Sequence, residues 1–236
     1  MGVVSIFRIK SGIINLYLLK GKDGYLLVDT GYRYTDFEKV LQNEKINWKD
    51  INVILITHHH ADHVAALADV LKRTEARLII HKKEVPFLEA GKIDKDFKPL
   101  NFRVKIAMAF SLVSRFKPVK LRECDIVMEN ESEILRDFGI EGKILHTPGH
   151  TKGSISVLLD DGSAIVGDIA MNFLGFLGLK KRPMIAYDYD GVFKSWEKML
   201  DAGAKIIYPS HGEPFPALEL AEMLKQFAQG EKIWRT

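Results

Sequence analysis

The stretch THHHADHVAA, residues 57–66, holds four of the chain's eight histidines within six positions. Side chains two residues apart in an extended segment point the same way, so His58 and His60 are placed to bind one ion together. A helix that begins near Asp62 would direct Asp62 and His63 toward a second position, where the positive end of the helix dipole favours a carboxylate. Imidazole and carboxylate groups are ligands of zinc, iron and manganese. The spacing therefore predicts a metal site at a strand-to-helix corner.

Three further candidate ligands each follow an apolar, strand-like run. His150 lies in TPGHT, Asp168 ends IVGD, and His211 lies in YPSHG. A carboxylate at the end of an apolar strand is costly unless it is paired or bound to a metal. Since ligands at the same ends of several strands can converge, we expect these side chains to meet the histidine cluster. For the triple histidine taken alone, a loop of partly exposed histidines without a metal is the alternative.

Strand-like and helix-like segments alternate along both halves of the chain. Short apolar runs such as INVILIT and SISVLL are typical of strands, and YTDFEKVLQNEK, DHVAALADVLKR, GVFKSWEKMLDAG and PFPALELAEMLKQFAQG are typical of helices. Two strand-rich halves that both carry helices predict two sheets packed face to face with helices outside. Residues 84–120 are irregular, and we interpret them as a helical insertion, either an amphipathic helix packed on the body or a lid.

The ordered set of motifs resembles the metallo-β-lactamase-fold hydrolase superfamily, with a ligand set similar to that of glyoxalase II. The resemblance runs from LLVDTG at Asp29 through THHHADH, TPGHT and IVGD to PSHG, in the family's order. It implies an α+β fold, an αββα sandwich of two mixed β-sheets with helices on both outer faces. We expect residues 1–236 to form a single domain of this kind.

The resemblance also implies a role for each motif residue. The ligands it implies are His58, His60 and His150 for the first cation, Asp62, His63 and His211 for the second, and Asp168 for both. Asp62 is expected to steer the attacking water or relay a proton. Asp29 resembles the buried acid that orients the ligand loop; a simple turn residue before Gly31 is the alternative. Asp62 and Asp29 are thus the expected catalytic residues.

The activity that the resemblance implies is hydrolysis of a small ester, thioester or lactone by a hydroxide that bridges two divalent cations. Zinc is the expected metal, with iron or manganese as alternatives. Other activities left open are a mononuclear iron oxygenase of the persulfide-dioxygenase type, a β-lactamase-like amide hydrolase and a redox protein similar to the di-iron flavoproteins. True β-lactamases lack the bridging aspartate that Asp168 supplies, and Met171 stands where related lactonases have a tyrosine.

The composition is that of an ordinary globular protein, and the small-molecule substrate is what the resemblance implies. The chain is 47% hydrophobic and 28% charged, and its net charge of +3 is too small to indicate a nucleic-acid partner. No apolar run is long enough to predict a membrane span, and the single Cys124 cannot form an internal disulfide. We therefore expect a cytoplasmic location; the oligomeric state is left open.

Two apolar stretches are candidates for the substrate pocket. AMNFLGFLGLKK, residues 170–181, follows the bridging Asp168 and carries Phe176, so it predicts an apolar wall beside the metals. KIAMAFSLV, residues 105–113, is the candidate for the facing wall, and together they favour an apolar acyl substrate. Packing of the two stretches against each other is the alternative.

The other three histidines are expected to lie outside the ligand set. We interpret His59 as a loop-stabilising residue and His146 as a structural histidine of a strand. His81 is expected near the surface.

Overall fold

The computed structural model of the protein describes residues 4–108 and 115–228. Its strands are β1 (Ile6–Ser11), β2 (Ile14–Lys20), β3 (Tyr25–Val28), β4 (Ile51–Leu55), β5 (Arg77–His81), β6 (Lys98–Pro99), β7 (Ile126–Met128), β8 (Gly142–His146), β9 (Ile155–Leu159), β10 (Ser163–Gly167), β11 (Ile185–Ala186), β12 (Ile206–Pro209) and β13 (Phe215–Pro216). Its α-helices are α1 (Thr35–Asn43), α2 (Ala61–Val64), α3 (Leu67–Val70), α4 (Val85–Ala90), α5 (Phe102–Met108), α6 (Tyr189–Asp201) and α7 (Leu218–Ala228).

Two mixed sheets form the centre of the molecule. The first has the strand order β1-β2-β3-β4-β5-β7, antiparallel from β1 to β3 and parallel from β3 to β7. The second has the order β13-β12-β10-β9-β8, in which the β10–β12 pair is parallel and the other pairs are antiparallel. In each sheet, the strands that precede the predicted ligands run in the same direction.

The side chains of strand β2 show how the layers are built. Leu16 and Leu18 pack on the helix side of the first sheet, and Tyr17 and Leu19 face the second sheet. Because both faces are buried, the strand is apolar at successive positions rather than at every second one. Helices α1 to α3 cover the outer face of the first sheet, and α6 and α7 cover that of the second. The αββα sandwich is confirmed.

The prediction of one continuous helix for DHVAALADVLKR is wrong, because the structure has two short helices there, α2 and α3. The His63 carbonyl accepts hydrogen bonds from the N–H and hydroxyl of Thr30, at 2.8 and 2.9 Å, and the Ala66 N–H donates to the carbonyl of Gly31 at 3.0 Å. Residues of the loop after β3 thus form hydrogen bonds with backbone groups that a continuous helix would use for its own hydrogen bonds. This exchange fixes the loop that carries Asp29 against the one that carries His63.

The insertion at residues 84–120 packs against the segment that follows β10. Strand β6 pairs with β11, and Leu100 and Val104 form an apolar cluster with Leu177 and Leu179. Residues 109–113, which are five of the nine residues of the predicted facing wall, lie outside the described residues. Among residues 4–108 and 115–228, no helix has both the length and the apolar character needed to cross a membrane.

Candidate metal centre

The predicted ligands meet at one edge of the sandwich, where strands β4, β8, β10 and β12 end. The structure brings them into two groups whose ligand atoms lie within 4.8 Å of one another. The first group is His58, His60 and His150, and the second is Asp62, His63, Asp168 and His211. Except for Asp62, which is partly exposed, all of these side chains are buried.

The first group consists of three imidazole rings that present one nitrogen each to a common point. His150 Nε2 lies 3.1 Å from His58 Nε2 and 3.0 Å from His60 Nδ1. Nitrogens bound tetrahedrally to zinc lie about 3.4 Å apart, so this spacing is close to that of a zinc site. Burial lowers the pKa of all three histidines, and neighbouring imidazoles lower the pKa of His58 and His60 further. The three rings are therefore neutral, the form that binds a metal.

The second group combines two carboxylates with two imidazoles. His211 Nε2 lies 3.2 Å from Asp62 Oδ2, and His63 Nε2 lies 3.8 Å from the same oxygen. Burial alone would lower the pKa of both histidines, but the nearby carboxylates outweigh it, raising the pKa of His63 and bringing that of His211 to about 10. The group therefore attracts positive charge.

Asp168 lies between the two groups. Its Oδ2 is 3.6 Å from His150 Nε2 in the first group and 3.5 Å from His211 Nε2 in the second, and its Oδ1 is 3.4 Å from His63 Nε2. Since one carboxylate contacts both groups, its position fits that of a ligand shared by two cations.

Two buried atoms test whether a cation fits the second group. Among the described residues, His63 Nε2 and Asp168 Oδ1 are buried without a hydrogen-bond partner. A buried polar atom left unpaired is destabilising by about 1–3 kcal/mol. A divalent cation would bind both atoms and supply the positive charge that the carboxylates attract, so the residues present fit the metal.

Asp29 and Thr57 orient two of the histidines. Asp29 accepts hydrogen bonds from the Thr57 N–H and hydroxyl, both at 2.8 Å, and from His63 Nδ1 at 2.7 Å. The Thr57 hydroxyl lies 3.1 Å from His58 Nδ1 and accepts from it. Asp29 adopts the left-handed conformation, with φ of 60°, which is uncommon outside glycine and is found at functional sites. Asp29 is thus buried in contact with both Thr57 of the ligand loop and the ring of His63.

Backbone carbonyls hold two other histidines. His150 Nδ1 donates to the Ile185 carbonyl at 2.8 Å, and His211 Nδ1 donates to the Ile13 carbonyl at 3.2 Å. In both rings Nε2 is the nitrogen directed at the ligand groups, as in metal sites where a second partner fixes the ring.

A cavity of about 150 Å³ opens onto these groups. Its lining residues are Ile13, Tyr32, His60, Ala61, Asp62, Ile93, His150, Asp168, Met171, Phe173, Met184, Ile185 and His211. Apart from the ligands and Tyr32, these residues are apolar, and no lysine or arginine is among the described residues that line the cavity. The cavity suits an uncharged apolar group next to the ligand cluster.

The predicted apolar walls need correction. Phe173 and Met171 line the cavity, but Phe176 is 74% exposed. Its segment turns between left-handed residues on either side, and Leu177 rather than Phe176 enters the core. On the facing side, Lys105 and Ile106 are exposed, and Ile93 contributes the apolar surface instead.

Of the remaining histidines, His81 was predicted wrongly. It is fully buried, and its ring stacks on that of His146 with centroids 4.2 Å apart. His81 ends a strand of one sheet and packs against the other sheet. This position, rather than its charged neighbours in the sequence, accounts for its burial. His146 donates to the Lys152 carbonyl at 3.1 Å, and His59 is buried in contact with Glu84.

Two residues near the site were not predicted. Tyr32 follows the Asp29 loop and lines the cavity, and Glu84 is buried behind the ligand loops. A glutamate in the exposed-looking run HKKE gives no sequence signal of burial. Tyr32 stands directly after DTG, and this adjacency to a motif is the signal by which it could have been found.

A family model described as the metallo-β-lactamase superfamily matches residues 10–211. The probable metallo-hydrolase YqjP of Bacillus subtilis is 23% identical over 230 residues, covering 88% of this chain and 70% of that protein. A hydroxyacylglutathione hydrolase of Rhodopseudomonas palustris is 30% identical over 122 residues, which is 52% of this chain and 34% of that enzyme. The matched part therefore spans from about a third to seven tenths of the length of these relatives.

Solved structures agree in fold. A metallo-β-lactamase family protein of Thermus thermophilus superposes with a TM-score of 0.68 at 22% identity, covering 96% of this chain and 79% of that one. The protein TTHA1623, crystallised in a di-iron-bound form, superposes with a TM-score of 0.64 at 22% identity, covering 91% and 96% of the two chains.

Proposed function

Because the chain belongs to the metallo-β-lactamase superfamily, a family of metal-dependent hydrolases, we propose that it hydrolyses a small ester, thioester or lactone with two divalent cations. The observation that carries the proposal is the contact of Asp168 with both ligand groups. Zinc is the metal we expect, with iron as the alternative that the di-iron structure supports.

The residues that would hold the cations are those of the two groups. His58, His60 and His150 would bind one, Asp62, His63 and His211 the other, and Asp168 would bind both. When bound, such a pair of cations lowers the pKa of a water toward about 7 and polarises the carbonyl of the substrate. No serine or cysteine nucleophile is then required.

We propose that Asp62 orients the attacking water. Burial raises its pKa, but His63 and His211 lower it more strongly, to about 2. Asp62 is therefore a carboxylate at neutral pH, and it lines the cavity where the substrate would lie. A carboxylate in this position can orient the attacking water by accepting a hydrogen bond from it.

We propose that Tyr32 contacts an oxygen of the substrate. It lines the cavity together with Asp62 and Asp168, and burial, followed by these two carboxylates, raises its pKa to about 12. Its hydroxyl is thus protonated at neutral pH and can donate a hydrogen bond to the carbonyl or to the leaving oxygen.

The cavity and a relative support the substrate class. Ile93, Phe173 and Met184 offer apolar surface to an acyl group. The relative named hydroxyacylglutathione hydrolase cleaves a thioester, by its name. We therefore propose an acyl ester or thioester with an apolar acyl group.

An anaerobic assay tests the proposed function. Zinc-reconstituted protein is offered an ester, a thioester, a lactone and a β-lactam with matched apolar groups. We expect turnover of at least one of the first three without oxygen. Turnover of the β-lactam alone would indicate an amide hydrolase, and activity only with Fe²⁺ and O₂ would indicate an oxygenase.

A further inference from the structure

Glu84 is a buried carboxylate that belongs to neither ligand group. It lies between β5 and α4 and is 1% exposed. Burial raises its pKa, but the hydrogen bonds that it accepts from His59 and Thr151 lower it more strongly, so Glu84 is ionised and acts only as an acceptor. A charged group in this position is stable only because several donors surround it.

The donors come from both loops that carry the first ligand group. One oxygen of Glu84 accepts from the His59 N–H at 3.0 Å and from His59 Nδ1. The other accepts from the Thr151 hydroxyl at 2.9 Å and from the Gly153 N–H at 2.7 Å. Since His59 lies between His58 and His60, and Thr151 follows His150, one side chain connects all three ligands of the first group.

The contacts of His59 fix the orientation of its ring and show which ring nitrogen carries the proton. Its Nε2 accepts from the Asp94 N–H at 2.9 Å, so Nδ1 carries the proton and donates to Glu84. The ring also stacks on Phe87 with centroids 4.3 Å apart. Both ring nitrogens of His59 are hydrogen-bonded and one face of the ring is covered, so the ring is held in place. The position of Glu84 therefore sets the position of His59 and of the ligand loop that carries it.

Gly153, in the loop after His150, shows how closely this loop approaches Glu84. A Cβ at this position would lie 2.5 Å from Glu84 Oε1, closer than any real contact of this kind. The loop after His150 therefore needs glycine here to bring its N–H to the carboxylate.

We propose that Glu84 is a positioning residue that sets the spacing of His58, His60 and His150 and thereby controls cation affinity at the first group alone. The proposal rests on the proposed function, which requires a cation there. The second group contacts Asp29 and the Ile13 carbonyl instead of Glu84, so it is expected to be insensitive to changes at this residue.

The test is Glu84→Gln, which keeps the size of the side chain but turns an NH₂ group toward two of the four donors. It is made in two backgrounds, His211→Ala to weaken the second group and His150→Ala to weaken the first. Affinity for Co²⁺ is measured by chelator competition, and the electronic absorption of the bound Co²⁺ reports its ligand geometry. Glu89→Gln, an exposed change on α4, the helix that follows Glu84, is the matched control.

We expect Glu84→Gln to weaken Co²⁺ binding about 10–100-fold and to alter the absorption spectrum in the His211→Ala background. Binding in the His150→Ala background and in every Glu89→Gln protein should not change. The proposal would be overturned if Glu84→Gln weakened Co²⁺ binding equally in both backgrounds, or if it weakened binding in neither. If Glu84→Gln does not fold, Thr151→Val serves instead, because it removes one of the donors to Glu84. It should weaken Co²⁺ binding in the His211→Ala background alone, by a smaller factor. If Thr151→Val has no such selective effect, the proposal is overturned.

A separate outcome concerns the proposed function. If the unmodified chain binds no second cation, the two-cation hydrolase fails whatever Glu84 does. If it binds two and Glu84→Gln changes neither, only the role of Glu84 is contradicted.

Discussion

His63 Nδ1 donates a hydrogen bond to Asp29 Oδ2 across 2.7 Å, and this contact leaves Nε2 of the same ring facing Asp168. The two residues are far apart in the sequence and meet because strands β3 and β4 are parallel neighbours. Asp29 thus decides which nitrogen of His63 is offered to a cation.

Asp29→Asn should weaken cation binding at the second group by about 10–100-fold, because the amide cannot accept all the hydrogen bonds that the carboxylate accepts. Chelator competition with Zn²⁺ measures the change. Asp23→Asn, at an exposed position, is the control for the loss of one negative charge. Unchanged zinc affinity in Asp29→Asn would show that Asp29 is only a turn residue.

Asp168→Ala should remove most of the bound metal and nearly all hydrolysis, because this carboxylate contacts both ligand groups. Metal content of the purified variant and its rate with the preferred ester measure the effect. An Asp168→Ala protein that is both fully loaded and active would contradict the shared-ligand role.

Much of this arrangement could be predicted from the sequence. The ligand motifs follow apolar strands, and parallel strands bring their ends to one edge, so the meeting of His58, His150 and His211 follows from local patterns. The division between α2 and α3 could not be predicted, because it depends on hydrogen bonds from Thr30 and Gly31. The burial of His81 depends on tertiary contacts in the same way. The single domain and the cytoplasmic location stay predictions.

The apolar wall predicts a dependence on acyl length. Each CH₂ added to a test ester should raise kcat/KM by at most about fourfold, or about 0.8 kcal/mol, until the cavity is filled. Phe173→Ala should flatten this dependence while the metal content stays the same, because Phe173 lines the cavity.

Phe176→Ala is the matched control, since Phe176 is 74% exposed and should leave the dependence as it is. If the unmodified protein cleaves short and long acyl esters equally well, the cavity does not bind the acyl group.

The stacked pair of His81 and His146 predicts sensitivity to acid. Burial lowers the pKa of both below the ordinary value of 6.5. Below that pH the unfolded chain takes up protons that the folded chain resists, so the free energy of unfolding should fall as the pH drops from about 6.5 toward the folded pKa. Above 6.5 the contribution of the pair is fully present.

His146→Phe keeps an aromatic ring against His81 but cannot take up a proton, so it should lose less stability on acidification. The free energy of unfolding is measured with a chelator present at about pH 7.5 and 5.5 for both proteins. An equal loss in the two proteins would indicate that the pair does not contribute to acid sensitivity.

The most direct test of the two-cation hydrolase is a titration of metal-free protein with Zn²⁺ under strict anaerobiosis, with hydrolysis of an apolar acyl thioester or ester as the signal. We predict that the rate rises and reaches its plateau at about two equivalents per chain, without any need for oxygen. A plateau at one equivalent, or a rate that appears only with Fe²⁺ and O₂, would contradict the account.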